Sequence, residues 1–286
     1  MPEKKKKICF FASELAVLLG VNKFKKPSEI LLRLWEYNFP EDLQYFKERL
    51  KENKKKIKEH QTSEQKVNTI MKKVKSKTDK KKLEKSIKKC LESKDTDSLK
   101  KIREDTIKQC EVLDSKDKKE IEKAIIELTN TNFGTKNENK SIHIYTQLTG
   151  KPVIKFNRFT KRIVFHDENF EYYIGGKIDG LLADKTIIEI KNRIHKLFRV
   201  VRDYEKVQTY CYMYIFESSK SELVETYLSG NLTETNIMTV FYETDYWKDI
   251  VTKIIKFTEY FNKFLNSIEL KEELLLVGTE KFRLNY

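Results

Sequence analysis

Two short runs rich in apolar residues carry acidic side chains, and only a turn separates them. The first run, Tyr172–Leu182, contains Asp179. The second run, Thr186–Lys191, contains Glu189 two residues before its final lysine. β-Branched and aromatic residues favour strands, and the Asp-Lys pair between the runs is suited to a turn. The pattern therefore predicts a β-hairpin that holds carboxylates within apolar sequence.

The hairpin would bring its charged groups together. Side chains alternate along a strand, so Glu189 and Lys191 face one side, and the pairing brings Asp179 to the same end as Glu189. With the carbonyl of Ile190, the two carboxylates form a ligand set suited to a hard cation such as Mg²⁺. Such an ion binds a phosphodiester and favours hydroxide formation from water, while Lys191 orients the nucleophile or neutralises charge on the phosphate. The alternative is a surface hairpin with a simple ion pair, but an unpartnered aspartate in an apolar run is costly.

The composition points to a polyanionic partner. The 286-residue chain has a formal net charge of +14, which suits a protein that contacts phosphates. The alternative is a lysine-rich protein whose charges only solvate it. No apolar run approaches the ~18–20 residues of a membrane span, and the N-terminus lacks the features of a secretory signal. The cysteines are too far apart for a zinc, iron–sulfur or disulfide framework, which predicts a reducing intracellular compartment: Cys9, Cys90, Cys110 and Cys211.

The chain divides into three regions by composition. Residues 1–48 predict an N-terminal helical part, with one helix over Phe11–Gly20 and Ser13 at or near its N-cap. Residues 49–129 are rich in Lys and Glu, and their apolar spacing predicts three or four amphipathic helices, with Asp95, Asp97 and Asp114 at helix starts. This insertion could act as a DNA clamp, a protein-docking arm or a solubilising spacer.

Residues 130–286 predict a mixed α/β domain with a central sheet, because strand-like runs alternate there with helical patterns. A long helix is expected over Lys196–Phe216, and a final helix extends from about Trp247 to Leu265. The strand-like runs are Pro152–Phe156, Thr160–Phe165, Tyr172–Leu182, Thr186–Lys191, Leu223–Leu228 and Ile237–Tyr242.

The acidic pair and its lysine resemble the motif of the PD-(D/E)XK nuclease superfamily, and more closely its lambda-exonuclease or YqaJ-like viral recombinase branch. Asp179, Glu189 and Lys191 match that family's metal-binding acids and catalytic lysine, and Ile178 stands where the nominal proline would be. The resemblance implies a restriction-endonuclease-like core, in which helices flank a central mixed sheet. The N-terminal helical segment and the Lys-rich helical insertion would be added to that core.

Two further segments resemble the same family. The segment beginning Phe133-Gly134 is similar to the family's R-G-x-x-x-E helix, so Glu138 matches an acid that helps to bind metal, while Phe133 replaces the usual arginine. The segment around Ser13 is similar to T-A-S-E-…-L-G, whose serine and preceding arginine hold a 5′-phosphate end. Lys6 and Lys7 stand where that arginine would be, which makes these residues candidate DNA-binding groups.

A fourth segment, Tyr204–Tyr210, resembles the family's helix whose glutamine lies beside the active site, which makes Gln208 a candidate catalytic residue. Three basic residues recur here at spacings of three and four, namely Arg199, Arg202 and Lys206. On a helix they would form one face. We expect this face to contact the DNA backbone, and the alternative is that it is merely solvated.

Together these observations predict a Mg²⁺-dependent deoxyribonuclease in which Mn²⁺ can substitute. By resemblance it would be a 5′→3′ exonuclease on double-stranded DNA ends in viral or phage-type recombination, replication or repair. A single-strand annealing protein and a homo-oligomer are the implied partners, and a host cytoplasm, nucleus or virus factory is the implied location. The alternatives are a structure-selective or restriction-type endonuclease of the same superfamily, a non-catalytic nucleic-acid-binding protein, or an interaction protein built around the helical insertion.

Overall fold

The computed structural model describes residues 5–156, 158–230 and 232–286. Its strands are β1 Lys6–Phe11, β2 Thr160–His166, β3 Phe170–Gly176, β4 Gly180–Leu181, β5 Ile187–Arg193, β6 Lys220–Ser229 and β7 Leu232–Phe241. They form a three-stranded sheet of order β1-β3-β2 and a four-stranded sheet of order β4-β5-β6-β7. The pairs β1/β3 and β5/β6 are parallel and the others are antiparallel, so both sheets are mixed.

Helices precede, connect and follow the strands, which confirms the predicted mixed α/β fold class. Within the described ranges, no helix is long and apolar enough to cross a membrane. The helices are α1 Ala12–Leu18, α2 Pro27–Asn38, α3 Pro40–Glu52, α4 Ser63–Met71, α5 Lys77–Glu92, α6 Thr96–Gln109, α7 Ser115–Thr149, α8 Asp203–Phe216, α9 Thr244–Leu265 and α10 Ile268–Val277.

The main hydrophobic core lies between β1, β3 and the helices α1, α2, α8 and α9. Phe10 of β1 and Tyr172 of β3 are fully buried, with ring centroids 6.2 Å apart, and Phe257 of α9 meets Phe10 edge-on at 5.9 Å. Each buried side chain of this size contributes about 1.5–3 kcal/mol to folding. The parallel strands β5 and β6 are joined by α8, which packs between this core and the four-stranded sheet.

The helical insertion has its own small core, formed by apolar side chains of α4, α5 and α7: Val67, Ile70, Met71, Leu83, Ile87, Ile121, Ala124 and Ile125. Asp95 and Asp114 accept hydrogen bonds from backbone amides at the starts of α6 and α7, as the sequence predicts. α7 runs without a break through the expected boundary at residue 129. One continuous helix therefore joins the insertion to the α/β part of the chain.

Several predicted elements differ from the structure. The first is the run Tyr172–Leu182, which is divided between β3 and β4 in different sheets. The division follows Gly176, where an added Cβ would lie 2.6 Å from Cε1 of Tyr212, so the backbone packs directly against that ring. The run Pro152–Phe156 contributes only an isolated bridge between Ile154 and Leu181.

The N-terminal region and the helix before β6 also differ from the predictions. Lys6–Phe11 forms β1 within the region that the sequence predicts to be helical, and α1 begins at Ala12. The predicted helix Lys196–Phe216 begins only at Asp203, because Arg199 has a left-handed φ of 58° and the backbone at Arg202 is extended.

Candidate active site

The hairpin of β4 and β5 places the predicted catalytic groups. Its antiparallel register pairs Gly180 with Ile188, which sets Asp179 opposite Glu189. Asp179 Oδ2 accepts a hydrogen bond of 2.7 Å from the amide of Ile190. Nζ of Lys191 lies 2.7 Å from Oε1 of Glu189. The structure therefore brings the two acids and the lysine together at one corner of the four-stranded sheet.

The alternation of β5 explains why these charged side chains share a face. Ile188 and Ile190 point the other way, into a small core with Tyr145 of α7 and Val224 of β6. Slipping the register by one residue would exchange the apolar and charged faces, so this core fixes the position of Glu189 and Lys191. The amide of Ile190 donates a hydrogen bond to Asp179. The role of the Ile190 carbonyl as a metal ligand stays a prediction.

Glu138 approaches the same corner from α7. Burial raises the pKa of this half-buried glutamate, and the negative charge of Glu189 raises it further, whereas Lys155 and Lys191 lower it. With Asp179, three acidic groups therefore influence one another and the partly exposed Lys191 electrostatically. The role of these acids as metal ligands stays a prediction.

Burial makes these carboxyl groups unusually weak acids. Burial raises the pKa of Asp179 to about 6. The hydrogen bond from the Ile190 amide lowers this pKa, and the charge of Glu138 raises it. Burial raises the pKa of Glu189 to about 7 despite the opposing charge of Lys191. Burial lowers the pKa of Lys191, but the charges of Glu189, Glu205 and Asp179 outweigh it, so this pKa is raised. Without a cation, the two carboxyl groups therefore retain their protons to about pH 6 and 7, well above the ordinary range.

The donor set fits a hard divalent cation, since carboxylate oxygens are the ligands that Mg²⁺ and Mn²⁺ take from proteins. In residues 5–156, 158–230 and 232–286, however, no three acidic, histidine or cysteine side chains already stand at metal-binding distances. One oxygen of Asp179 is held by an amide and one of Glu189 by Lys191. Like charges also repel one another in a buried site, and a cation would remove that cost.

Gln208, on α8, lies beside the lysine. Its Oε1 accepts a hydrogen bond of 3.1 Å from Lys191 Nζ, and its Nε2 donates one of 2.9 Å to the hydroxyl of Tyr212. The ring of Tyr212 packs on the backbone of Gly176. The ammonium group is therefore held between Glu189 and Gln208 with little rotational freedom.

Beneath the corner lies a buried ion network that the sequence analysis missed. Arg193, the next same-face residue on β5, donates 2.8 Å hydrogen bonds to Glu225 of β6 and to Glu205 of α8. The side chains of Glu205 and Glu225 are 1% and 0% exposed. Glu225 also accepts from the amides of Phe198 and Arg199 at 3.1 and 2.8 Å. The network fixes the loop before α8, and acidic residues within apolar segments were the signal that could have revealed it.

The N-terminal candidates are not gathered into one group. The N-cap of α1 is Phe11, and Ser13 lies exposed in the first turn two residues later, near the N-cap as the sequence predicts. Lys6 and Lys7 lie at the far end of β1, level with Phe170 and Glu171. At about 3.3 Å per residue, they are separated from Ser13 by much of the strand.

The two lysines already have local partners. Lys6 donates to the carbonyl of Asn38, and Lys7 lies 3.9 Å from Glu171. Arg33, which the sequence analysis did not single out, approaches the start of α1 instead. Its Nη2 lies 2.6 Å from Glu14, and its guanidinium lies over the ring of Phe11 at 4.3 Å.

The basic face predicted on the helix before β6 is wrong. Arg199 lies in the loop and pairs with Glu234 at 3.3 Å, and Arg202 is the N-cap of α8 with its guanidinium 3.6 Å from the Phe198 ring centroid. Of the three predicted residues, only Lys206 lies on the helix. The left-handed backbone at Arg199 breaks the spacing on which the prediction relied.

The chain is similar to two solved exonuclease structures. One is an alkaline exonuclease from Laribacter hongkongensis, with 14% identity, coverage of 66% of this chain and 92% of that chain, and a TM-score of 0.38. The other is a phage-related exonuclease from Haemophilus somnus, with 14% identity, coverage of 74% and 96%, and a TM-score of 0.38. No family model matches the sequence, and no curated protein does.

Replacing Arg193 tests the buried network. Arg193→Leu leaves Glu205 and Glu225 as buried carboxylates without their counter-charge, so we expect a loss of about 3–5 kcal/mol in unfolding free energy. Arg199→Leu is the control, because its 65% exposed side chain pairs only at the surface and contributes about 0–1 kcal/mol. Urea denaturation of both variants gives the comparison. Equal stability of the two variants would show that the network does not hold the fold.

The raised pKa values predict how stability depends on pH without metal. Folded Asp179 and Glu189 keep protons that the unfolded chain releases above about pH 4, so the stability they contribute is lost as pH rises through 6 and 7. Asp179→Asn should therefore stabilise the chain by roughly 1 to 2 kcal/mol above pH 7 in chelator. Thermal denaturation measures this effect.

Two comparisons give this prediction its controls. Asp184→Asn, in the exposed turn of the same hairpin, should not stabilise, because hydrogen bonds from Thr186 lower the pKa of Asp184. Added Mg²⁺ should stabilise the wild-type chain more at high pH than below pH 6, and should not stabilise Asp179→Asn. If added Mg²⁺ does not change the melting temperature of the wild-type chain at any pH, the result would contradict the cation site.

Proposed function

We propose that the chain is a metal-dependent nuclease that hydrolyses phosphodiester bonds in DNA. The observation that carries this proposal is the buried corner in which Asp179 and Glu189, with raised pKa values, meet the ammonium of Lys191. Buried carboxylates that share one counter-charge cost stability unless they serve a ligand. A divalent cation and a phosphate are the ligands that such a set recognises.

The carboxylates of Asp179, Glu189 and Glu138 are the groups that would hold Mg²⁺, with Mn²⁺ as a substitute. When bound, such an ion polarises a phosphoryl oxygen and lowers the pKa of a bound water. The apolar residues behind β5 keep the carboxylates in place. Burial around the corner strengthens each of these electrostatic contacts relative to water.

Lys191 acts in this proposal as a fixed positive charge rather than as a base. Its raised pKa keeps it an ammonium, which only donates hydrogen bonds. Glu189 and Gln208 together hold two of its donors, at 2.7 and 3.1 Å. The remaining donor can meet the scissile phosphate or the attacking water, where it stabilises the negative charge that develops in the transition state.

The form of the activity follows from the sequence resemblance. The segments around Ser13, Glu138 and Gln208 favour a 5′→3′ exonuclease on double-stranded ends over an endonuclease. By the same resemblance, we propose a role in viral or phage-type recombination, replication or repair. Digestion of a linear duplex beside a covalently closed circle of the same sequence distinguishes the two activities, because an exonuclease leaves the circle intact.

Two substitutions in one hairpin test the catalytic assignment. Asp179→Asn removes a metal-ligand charge, and we expect cleavage of end-labelled linear duplex in Mg²⁺ to fall about a hundredfold or more. Asp184→Asn changes the same charge in the exposed turn and should cleave at the wild-type rate. Binding of the duplex in chelator should be the same for both. Wild-type cleavage by Asp179→Asn would end the nuclease assignment.

A further inference from the structure

The solvent face of α5 is rich in lysines, with exposed Glu84 and Glu92 among them. Lys77, Lys81, Lys85 and Lys88 follow one another at spacings of four, four and three, and all are exposed. Residues at these spacings lie above one another on a helix. We call these four residues the lysine stripe. Exposed Lys82 and Lys89 lie beside it, while the opposite face of α5 is buried through Leu83, Ile87 and Cys90.

The stripe carries a surplus of positive charge in the isolated chain, although exposed Glu84 lies three residues from Lys81 and four from Lys88. Like charges four residues apart destabilise a helix by about 0.2–0.5 kcal/mol per pair. In the described part of the chain, the ion pair of a stripe lysine is that of Lys88 with Glu92 at 3.9 Å, and both side chains are largely exposed. By contrast, Lys73 nearby is paired closely with Asp117 at 2.6 Å. A bound polyanion would compensate the positive charge of the stripe.

The C-terminal end of α5 is fixed beside the candidate active site. The carbonyl of Leu91 accepts a hydrogen bond from Lys136, which precedes Glu138 by two residues on α7. Cys90 packs with Phe133 of α7 and with Ile194, which follows Lys191 by three residues. The stripe therefore begins at the elements that carry the acidic corner and extends away from them.

We propose that the lysine stripe binds the phosphate backbone of duplex DNA and extends the DNA path beyond the acidic corner. The identity of the ligand rests on the proposed function. At 1.5 Å per residue, Lys77 to Lys88 span about 16 Å, which is about five base-pair steps of 3.4 Å. A row of single charges on flexible stems suits contacts that ignore base sequence.

The composition of α5 favours DNA over a protein partner. Protein interfaces depend on apolar or aromatic anchors, and none of the exposed large apolar side chains in the described ranges lies on α5. A solubilising spacer would mix its charges, as the start of α7 does with Lys116, Lys119 and Glu120. On α5, by contrast, seven lysines outnumber Asp79, Glu84 and Glu92, so its net charge is clearly positive and complements a polyanion.

The test measures the salt dependence of DNA binding. The stripe variant combines Lys77→Gln, Lys81→Gln and Lys85→Gln, and the charge-matched control combines Lys116→Gln, Lys119→Gln and Lys123→Gln. The control lysines are exposed on α7, on the side away from the residues that pack against α4 and α5. Binding of a fluorescently labelled duplex is titrated in chelator, so that metal-dependent cleavage does not interfere.

For the stripe variant, we expect the slope of the logarithm of the binding constant against the logarithm of the salt concentration to decrease in magnitude by about two to three. The reason is that each phosphate contact contributes about 0.9 to this slope. The control should keep the wild-type slope. The substituted lysines are exposed, so the melting temperature should stay close to the wild-type value, and weaker binding then cannot be attributed to unfolding. Equal slopes for the stripe variant and the control would overturn the inference.

Cleavage assays in Mg²⁺ separate this inference from the proposed function. If the wild-type chain cleaves DNA but the stripe variant binds and cleaves as well as the control, the stripe is not part of the DNA path. If the wild-type chain does not cleave, yet the stripe variant alone loses salt-dependent binding, the nuclease proposal fails and the stripe remains a DNA-binding surface.

Discussion

The buried contact between Glu189 and Lys191 is the interaction on which the rest of the site depends. The two residues lie two positions apart on β5, and their charged groups meet at 2.7 Å, with Glu189 buried and Lys191 partly exposed. Burying an ion pair costs several kcal/mol of desolvation unless further hydrogen bonds offset it. Gln208 supplies one such bond, and the apolar side of β5 keeps the strand in register. Asp179 and Glu138 then add two further carboxyl groups whose pKa values are raised, first by burial.

β5 organises the charges of the site in two layers. Glu189 and Lys191 form the upper layer with α8 through Gln208, and Arg193 continues the same face into the network with Glu205 and Glu225. Ion pairs thus connect the three elements of this crossover, through Arg193 of β5, Glu205 of α8 and Glu225 of β6. Because α7 also contacts β5 and extends into the insertion, this one helix connects the helical region directly to the strand that carries the acidic corner.

The sequence predicts the parts of the site that depend on local spacing. The period of two along β5 places Glu189 with Lys191, and the hairpin turn places Asp179, so these contacts are confirmed by the structure. Contacts between residues distant in the chain could not be read in this way. Arg193 and Glu225 are 32 residues apart, and their meeting depends on the pairing of β5 with β6. The basic face fails for a local reason, since a left-handed residue at Arg199 ends the helical spacing.

The most direct test of the central claim is a pH titration of the Asp179 and Glu189 carboxyl groups by carbon NMR. In chelator, we expect midpoints near 6 and near 7, because burial and mutual repulsion hold the protons on. Saturating Mg²⁺ should move both midpoints to lower pH, since a bound cation displaces those protons. Midpoints at the ordinary values of 3.8 and 4.5, unchanged by Mg²⁺, would contradict the account.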